Sequence, residues 1–265
     1  MKTITQQPIG IFDSGIGGTS IWKEIHQLLP EENTIYLSDS KNAPYGQKST
    51  QEIVDLSIKN TEFLINNGAK IIVVACNTAT TNAIQYLRRN YNIPFIGIEP
   101  AIKPASLNTK TGTIGILATK GTLNSILFEE TTSNLNEEIN IIEQVGEGLV
   151  ELIENGKIYS EEMTFLLKRY INPMLEQKCD YIVLGCTHYP YLLPQIQKIT
   201  GDNVKIIDSG EAVAKQVKSI LLQRDLLNNS SNKQTNNIFY INKDTSVLEA
   251  MLKDYKNSEI SYLDF

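Results

Sequence analysis

Several residue types that mark specialised classes of protein are scarce in this sequence. The chain has three cysteines, two histidines and one tryptophan, and no apolar run approaches the roughly 18 residues of a membrane-spanning helix. The cysteines, Cys76, Cys179 and Cys186, form no C-x-x-C pair, so the sequence predicts neither a disulfide framework nor a metal site. An odd number of widely spaced cysteines is typical of a reducing compartment, and we expect a cytoplasmic protein.

Basic residues are also fewer than acidic residues. The 24 lysines and arginines are outnumbered by 30 acidic residues, which gives a formal net charge of −6. Binding to a nucleic-acid backbone requires an excess of basic residues, so nucleic acid is not expected as a partner. The first residues, MKTITQQP, lack the apolar core of a secretion signal, and no membrane partner is expected either.

Short apolar runs alternate with amphipathic segments of helix length, and this pattern predicts an α/β fold built on parallel sheets. Several runs are apolar without alternation, as expected for central strands that have helices on both faces. The predicted strands are Ile9–Phe12, Ile71–Ala75, Phe95–Ile98, Ile114–Leu117, Ile139–Ile142, Tyr181–Leu184, Val204–Ile207 and Ile238–Ile241.

Helix boundaries are marked at several positions. Ser49 and Glu52 have the spacing of a capping box, before a helix that should end at Gly68. An apolar stripe over residues 163–175 predicts a long helix, which Pro173 should kink or shorten.

Two segments of the chain are echoed about one hundred residues later. PIGIFDS at 8–14 is similar to TIGILAT at 113–119, and VVACNTA at 73–79 is similar to VLGCTHY at 183–189. Two similar βα domains related by a pseudo-twofold axis would explain the echo, and would place equivalent strand ends across a ligand-binding cleft. Chance similarity between apolar strands is the alternative explanation.

In each half of the chain a predicted strand runs into a cysteine at the start of a helix. The positive end of the helix should lower the pKa of the Cys76 and Cys186 thiols from about 8.5 toward neutrality. Taken singly, either cysteine fits an inert core residue better, because free cysteine is among the most buried residue types. Two thiols on opposite walls of one cleft, however, suit racemisation or epimerisation, in which one base removes a proton and a second group protonates the opposite face.

Polar residues beside the two cysteines fit the same chemistry. Asp13 and Ser14 end the first predicted strand, where they also suit helix capping. His188 lies two residues after Cys186, where an imidazole would polarise the thiol or hold its proton. Neutral polar groups for an amino-acid carboxylate and ammonium come from Asn77, Thr78 and Thr187.

Four sequence blocks resemble the signature motifs of the bacterial glutamate racemase family. They are IGIFDSGIGG (9–18), DSKNAPYG (39–46), VVACNTAT (73–80) and VLGCTHYP (183–190), and the resemblance spans about residues 8–210 and continues through IIDSGEAVA (206–214). It implies interconversion of L- and D-glutamate without a cofactor or metal, which would supply D-glutamate for peptidoglycan.

The resemblance also implies roles for individual residues. Cys76 would deprotonate D-glutamate with help from Asp13, and Cys186 would deprotonate L-glutamate with help from His188. No role is assigned to Glu154, because the segment before it does not align clearly with the family pattern. The implied substrate contacts are Asp13, Ser14, Pro44, Tyr45, Gly46, Cys76, Asn77, Thr78, Thr119, Cys186 and Thr187.

The same resemblance implies an architecture. Two Rossmann-like or flavodoxin-like βα domains would comprise residues 1–98 plus 208–265 and residues 99–207, with the active site in the cleft between them. By analogy with the family we expect a homodimer that binds glutamate as its small-molecule substrate.

Other interpretations of the sequence are open. An aspartate, hydantoin or other amino-acid racemase would share the paired cysteines, although His188 favours glutamate. A hydrolase or acyl transferase would pair Cys186 with His188, but residues two positions apart seldom face each other. The glycines at 15–18 suggest a nucleotide-binding module, yet Ser20 replaces the third glycine of G-x-G-x-x-G. A non-catalytic binding protein with this fold is the remaining alternative.

The polar stretch Asn228–Asn237 predicts a mobile loop, and the chain beyond Asn228 is not expected to be catalytic. Shortening residues 229–236 should therefore leave the steady-state rate nearly unchanged, because a solvated spacer contributes no group to the reaction. Assays of the shortened and full-length chains, side by side, check this expectation, and a large loss of rate would contradict it.

Overall fold

Parallel pairing of short apolar strands builds two separate sheets in this protein, seen in a computed structural model that describes residues 3–136, 138–229 and 235–265. In chain order the strands are β1 (Ile9–Asp13), β2 (Thr34–Ser38), β3 (Ile71–Val74), β4 (Phe95–Gly97), β5 (Thr113–Ala118), β6 (Asn140–Val145), β7 (Tyr181–Gly185), β8 (Lys205–Ile207), β9 (Asn237–Ile241) and β10 (Ser258–Tyr262). Within these ranges the first sheet has the order β10-β9-β2-β1-β3-β4 and the second has the order β6-β5-β7-β8.

Helices connect the strands and pack on one another in pairs, α1 with α10, α2 with α3 and α8 with α9 among them. They are α1 (Thr19–Leu28), α2 (Thr50–Asn66), α3 (Asn77–Asn90), α4 (Ile102–Asn108), α5 (Lys120–Leu123), α6 (Ile126–Ser133), α7 (Leu149–Glu154), α8 (Glu161–Glu176), α9 (Leu193–Thr200), α10 (Gly210–Gln223) and α11 (Ser246–Leu252). No helix in the described part of the chain is both long enough and apolar enough to cross a membrane.

The predicted α/β class is confirmed, and each predicted strand is present. β2 and β10 are absent from the predicted set: β2 has a hydroxyl residue at each end, which shortens its apolar run, and β10 is a half-buried edge strand. The capping box is confirmed, since the Ser49 hydroxyl accepts from the Glu52 amide. Helix α8 extends three residues beyond Pro173, so the expected shortening is wrong. The predicted loop lies partly outside the described residues.

Strand register brings the sequence motifs to a common edge of each sheet. Asp13 pairs with Ser38 of β2, and Phe12 pairs with Val74 of β3, so the segments that leave β1, β2 and β3 begin side by side. In the second sheet Ala118 pairs with Gly185, so the segments after β5 and β7 also leave together. Ligands of parallel α/β sheets bind at this carboxyl edge.

A buried ion pair ties four chain segments together near the beginning of β3. The Lys70 ammonium donates to the Glu32 carboxylate (2.5 Å) and to the backbone oxygens of Thr5 (2.6 Å) and Leu226 (2.9 Å). The other Glu32 oxygen accepts from the Asn228 amide (2.8 Å). Both charged side chains are almost inaccessible to water, so each depends on the other for compensation.

Substitution Lys70→Met should lower the free energy of unfolding by about 3 kcal/mol, because it leaves the Glu32 carboxylate buried without a cation. Urea unfolding followed by circular dichroism measures the change. Lys215→Met is the matched control, since it breaks an exposed pair with Glu211 on helix α10 and should have little effect. Equal shifts of the two unfolding midpoints would contradict the prediction.

Candidate active site

Side chains from the carboxyl edges of both sheets surround one small cavity. Every residue of the implied substrate set except Asp13 lines it, and Asp13 lies directly behind Ser14 and Thr187. Val150, Gly185 and His188 complete the lining. The structure thus brings together residues that are spread over more than 170 positions of the sequence.

The first thiol belongs to a chain of hydrogen bonds that ends on a carboxylate. Cys76 is the N-cap residue of α3, and its Sγ accepts from the Ala79 amide (3.4 Å). The same Sγ lies 3.5 Å from the Ser14 hydroxyl and donates to it. Ser14 Oγ in turn lies 3.5 Å from Asp13 Oδ1, to which it donates. A proton can therefore pass from Cys76 to Asp13 through one hydroxyl.

Burial raises the pKa values of the two groups at the ends of this hydrogen-bond series, Asp13 and Cys76. The pKa of the fully buried Asp13 rises to about 6, although the nearby His188 and a hydrogen bond from the Gly18 amide (2.7 Å) oppose the rise. The pKa of the Cys76 thiol rises because of burial and the negative charge of Asp13. The expected lowering by the helix terminus is therefore wrong for Cys76, since one weak amide contact does not outweigh desolvation.

The second thiol has a basic partner instead. Cys186 Sγ lies 3.7 Å from His188 Nδ1, and His188 Nε2 lies 2.6 Å from Glu154 Oε1. Burial by itself would lower the pKa of His188, but its contacts with Cys186 and Glu154 outweigh burial and raise the pKa well above its usual value. Each ring nitrogen therefore faces an ionisable group, and the Gly17 amide also lies 3.2 Å from Nε2.

Glu154 is the functional residue that sequence reasoning leaves out. It ends α7 and is buried, and its carboxylate accepts from the Ile16 amide (2.7 Å), the Ser40 hydroxyl (2.7 Å) and His188. Burial opposes its ionisation, but these three donors outweigh burial and lower its pKa. Its partners Ile16 and Ser40 are 138 and 114 residues away in the chain, so no local motif marks it.

Two glycines after β1 allow the side chains of Glu154 and His188 to approach the backbone. A β-carbon at position 15 would overlap the Glu154 carboxylate, and a β-carbon at position 17 would overlap the His188 ring. Gly15 and Gly17 therefore serve close packing against charged side chains, in a tight turn between β1 and α1.

The remaining walls are polar but uncharged. Hydroxyls of Thr78 and Thr119 lie 2.8 Å apart, and Thr119 also contacts Thr122 (3.0 Å), so threonines from both sheets meet here. The Asn77 side chain is buried, and neither its oxygen nor its nitrogen has a hydrogen-bond partner among the described residues. Such an amide is poised for a ligand, because an unpaired buried polar group is costly.

Substrate access requires movement. The cavity between the thiols measures about 10 Å³, which is room for about one water molecule. A neighbouring cavity of about 280 Å³ shares Pro44, Gly46, Thr119 and Val150 with it. A hydrogen bond from Gln47 to Glu151 (2.8 Å) lies at this rim. An amino acid can enter only when these walls separate.

The described residues contain no cluster of three or more His, Cys, Asp or Glu side chains arranged to hold a metal ion. The ionisable groups of the site are two thiols, one linked to Asp13 through a hydroxyl and the other in contact with His188. Acid–base groups on two walls of a cavity can remove a proton from a bound carbon and return one to its opposite face.

Comparison with known proteins identifies the family. The family model for Asp/Glu/Hydantoin racemase matches residues 9–217. The glutamate racemase of Herpetosiphon aurantiacus is 47% identical over 222 residues, which covers 84% of this chain and 87% of that protein. The glutamate racemase of Ralstonia pickettii is 41% identical over 252 residues, covering 95% and 89%.

Solved structures agree with the sequence comparison. Glutamate racemase isoform RacE1 of Bacillus anthracis superposes with a TM-score of 0.86 at 31% identity, and the match covers 98% of both chains. The glutamate racemase of Francisella tularensis in complex with D-glutamate gives a TM-score of 0.84 at 30% identity, again over 98% of both chains.

The fold and the site define an amino-acid racemase, and the chain belongs to the Asp/Glu/Hydantoin racemase family. Within that family it belongs to the glutamate racemases. The resemblance seen in the four sequence blocks is thereby confirmed, and the protein is an isomerase. The hydrolase, nucleotide-binding and non-catalytic interpretations are set aside.

Glu154→Gln should shift the alkaline limb of the activity profile to lower pH. The carboxylate raises the pKa of His188, so without its charge the imidazolium loses its proton at lower pH. We expect kcat near neutral pH to fall by about tenfold or more. The rate of racemisation measured against pH tests the shift.

Ser40→Ala is the matched control for this substitution. It removes one hydrogen bond from Glu154 but keeps the negative charge, so its shift should be clearly smaller. An unchanged alkaline limb in Glu154→Gln would show that the carboxylate does not set the protonation state of His188.

Proposed function

We propose that this chain interconverts L- and D-glutamate by proton exchange at the α-carbon, with Cys76 and Cys186 as the two bases. One observation carries the proposal: two buried thiols from different sheets line one cavity, Cys76 linked to Asp13 through the Ser14 hydroxyl and Cys186 beside His188. Racemisation needs a proton acceptor on one face of the carbon and a proton donor on the other. The product D-glutamate would serve peptidoglycan synthesis.

Conversion of D-glutamate begins at the Cys76 wall. The Cys76 thiolate removes the α-proton, so the Cα–H bond breaks, an S–H bond forms and the electron pair stays on a planar α-carbon. The Cys186 thiol then transfers its proton to the opposite face, which completes the inversion and leaves Cys186 as the thiolate. The same steps in reverse order convert L-glutamate.

The partner groups generate the thiolates. Asp13 accepts the Cys76 proton through Ser14, and its raised pKa of about 6 makes it a better base than an ordinary aspartate. On the other wall the imidazolium of His188 stabilises the Cys186 thiolate. Each thiol therefore has an acid–base group to assist it, whichever enantiomer is converted.

The substrate's charged groups would be held by neutral donors and by backbone amides. The Asn77 amide can bind a carboxylate through its nitrogen or an ammonium through its oxygen. Asn77 is also the first residue of α3, whose free N–H groups favour a carboxylate. The further proposed contacts are Ser14, Pro44, Tyr45, Gly46, Thr78, Thr119 and Thr187.

Domain division, assembly and compartment are proposals too. Strands of the first sheet come from residues 9–97 and 237–262 and those of the second from residues 113–207, which supports domains of 1–98 plus 208–265 and 99–207. We further propose a homodimer in the cytoplasm, on the analogy of the family. Light scattering on the purified protein tests the assembly.

The proposed activity is tested by proton NMR in heavy water with L-glutamate, D-glutamate and L-aspartate, with circular dichroism of the product. Loss of the glutamate α-proton signal together with loss of optical activity supports glutamate racemisation. Exchange of aspartate in place of glutamate would move the substrate assignment to aspartate, and an absence of any exchange would overturn the proposal.

Cys76→Ala and Cys186→Ala should each abolish inversion, because each leaves only one face of the α-carbon with a base. Cys186→Ala should still exchange the α-proton of D-glutamate without forming L-glutamate, and Cys76→Ala should do the same for L-glutamate. NMR and circular dichroism separate exchange from inversion.

Cys179→Ala removes a buried thiol away from the cavity and should retain activity. Wild-type inversion in both site variants would overturn the two-base mechanism.

A further inference from the structure

The residue that follows β9 contacts the segment before the Pro44–Gly46 wall of the cavity, although it lies in the C-terminal part of the chain. β9 pairs with β2 so that Ile241 stands opposite Ser38, and the Asn242 amide donates to the Ser38 oxygen (3.3 Å). Asn242 therefore leaves the sheet beside Asp39, at the carboxyl edge where the site is built. Only 3% of its surface is exposed.

Both ends of the Asn242 side chain are engaged. Its Nδ2 donates to Asp39 Oδ1 (2.5 Å), and its Oδ1 accepts from the Lys41 backbone amide (2.9 Å). An amide side chain supplies the donor and the acceptor from two separate atoms, as both contacts here require. Asn242 thus holds the carboxylate of Asp39 and the backbone that follows it.

Asp39 is a fully buried carboxylate with no ion pair among the described residues. Its negative charge is compensated by three side-chain donors: Asn242, Asn42 Nδ2 (2.8 Å) and the Tyr45 hydroxyl (2.5 Å). A buried charge depends on every such donor, because it has no water to replace a lost one.

Tyr45 connects this network to the substrate cavity. Its hydroxyl donates to Asp39 and accepts from Asn60 Nδ2 (3.2 Å), and burial raises its pKa well above the usual value, so it remains a donor. Tyr45 lines the cavity together with its neighbours Pro44 and Gly46. The position of Asp39 therefore determines where this wall of the cavity stands.

We propose that Asn242 is a positioning residue for the racemase, which fixes Asp39 and through it the wall of the substrate site at Pro44–Gly46. The inference rests on the proposed function and extends the machinery to the C-terminal part of the chain. The loop at Asn228–Asn237 can be a spacer without function of its own, while the strand that follows it delivers a residue to the site.

Asn242→Ala should raise KM for both glutamate enantiomers about tenfold and leave kcat within about twofold, because it displaces a binding wall and leaves both thiols in place. Asn237→Ala is the matched control. Asn237 is a buried asparagine at the other end of the same strand, where its oxygen accepts from the Thr34 hydroxyl (2.8 Å). It should lower stability comparably without changing KM.

Asn242→Asp keeps the size of the side chain and gives a second, independent readout. The introduced carboxylate would face Asp39 at high pH and repel it, whereas at low pH one shared proton would restore the hydrogen bond. The ratio of variant to wild-type KM should therefore fall as the pH drops from about 9 to about 6. The other titratable groups that face this pair are Tyr45 and Lys41, whose amine pairs with Asp264 at the surface.

The outcomes separate the two proposals. Wild-type protein that does not exchange the α-proton of glutamate would overturn the proposed function. Active wild-type protein whose KM is unchanged by Asn242→Ala, or raised equally by Asn237→Ala, would overturn the positioning role alone. A constant KM ratio for Asn242→Asp across the pH range would likewise count against it.

Discussion

The Glu154 carboxylate is the contact on which the geometry of the site depends. It accepts from Ile16 and Ser40, which follow strands of the first sheet, and from His188, which follows a strand of the second. One buried charge thus joins the two walls of the cavity and also raises the pKa of the imidazole beside Cys186. A neutral side chain at this position would lose the second effect, because the raised pKa depends on the negative charge.

The two thiols are equivalent in sequence context but not in surroundings. Cys76 is connected through a hydroxyl to an aspartate, while Cys186 contacts a histidine that is itself paired with a carboxylate. Burial and the charge of Asp13 raise the pKa of the Cys76 thiol, whereas the Cys186 thiol lies beside an imidazole. The two halves of the fold thus place different acid–base groups near cysteines that are equivalent in sequence context.

Much of the fold was predictable because its signals are local. The run Ile71–Ala75 has the composition of a central strand, and the capping residues Ser49 and Glu52 lie three positions apart. β10 was not predicted because it is an edge strand with no fully buried residue and no continuous apolar run. Pro173 lies in the last turn of α8, so the one helical bond that it removes is close to the end of the helix, and only three residues follow it.

The sequence by itself determined the alternation of strands and helices, the two cysteines at strand ends and the motifs around them, since each of these is encoded within about ten neighbouring residues. Only the tertiary structure decided that Glu154 contacts Ile16 and that Asn242 contacts Asp39, because these partners lie 138 and 203 residues away. The tertiary structure also decided that the pKa of Cys76 is raised and not lowered. Desolvation depends on everything packed around the thiol, whereas the helix terminus is a local feature of the sequence.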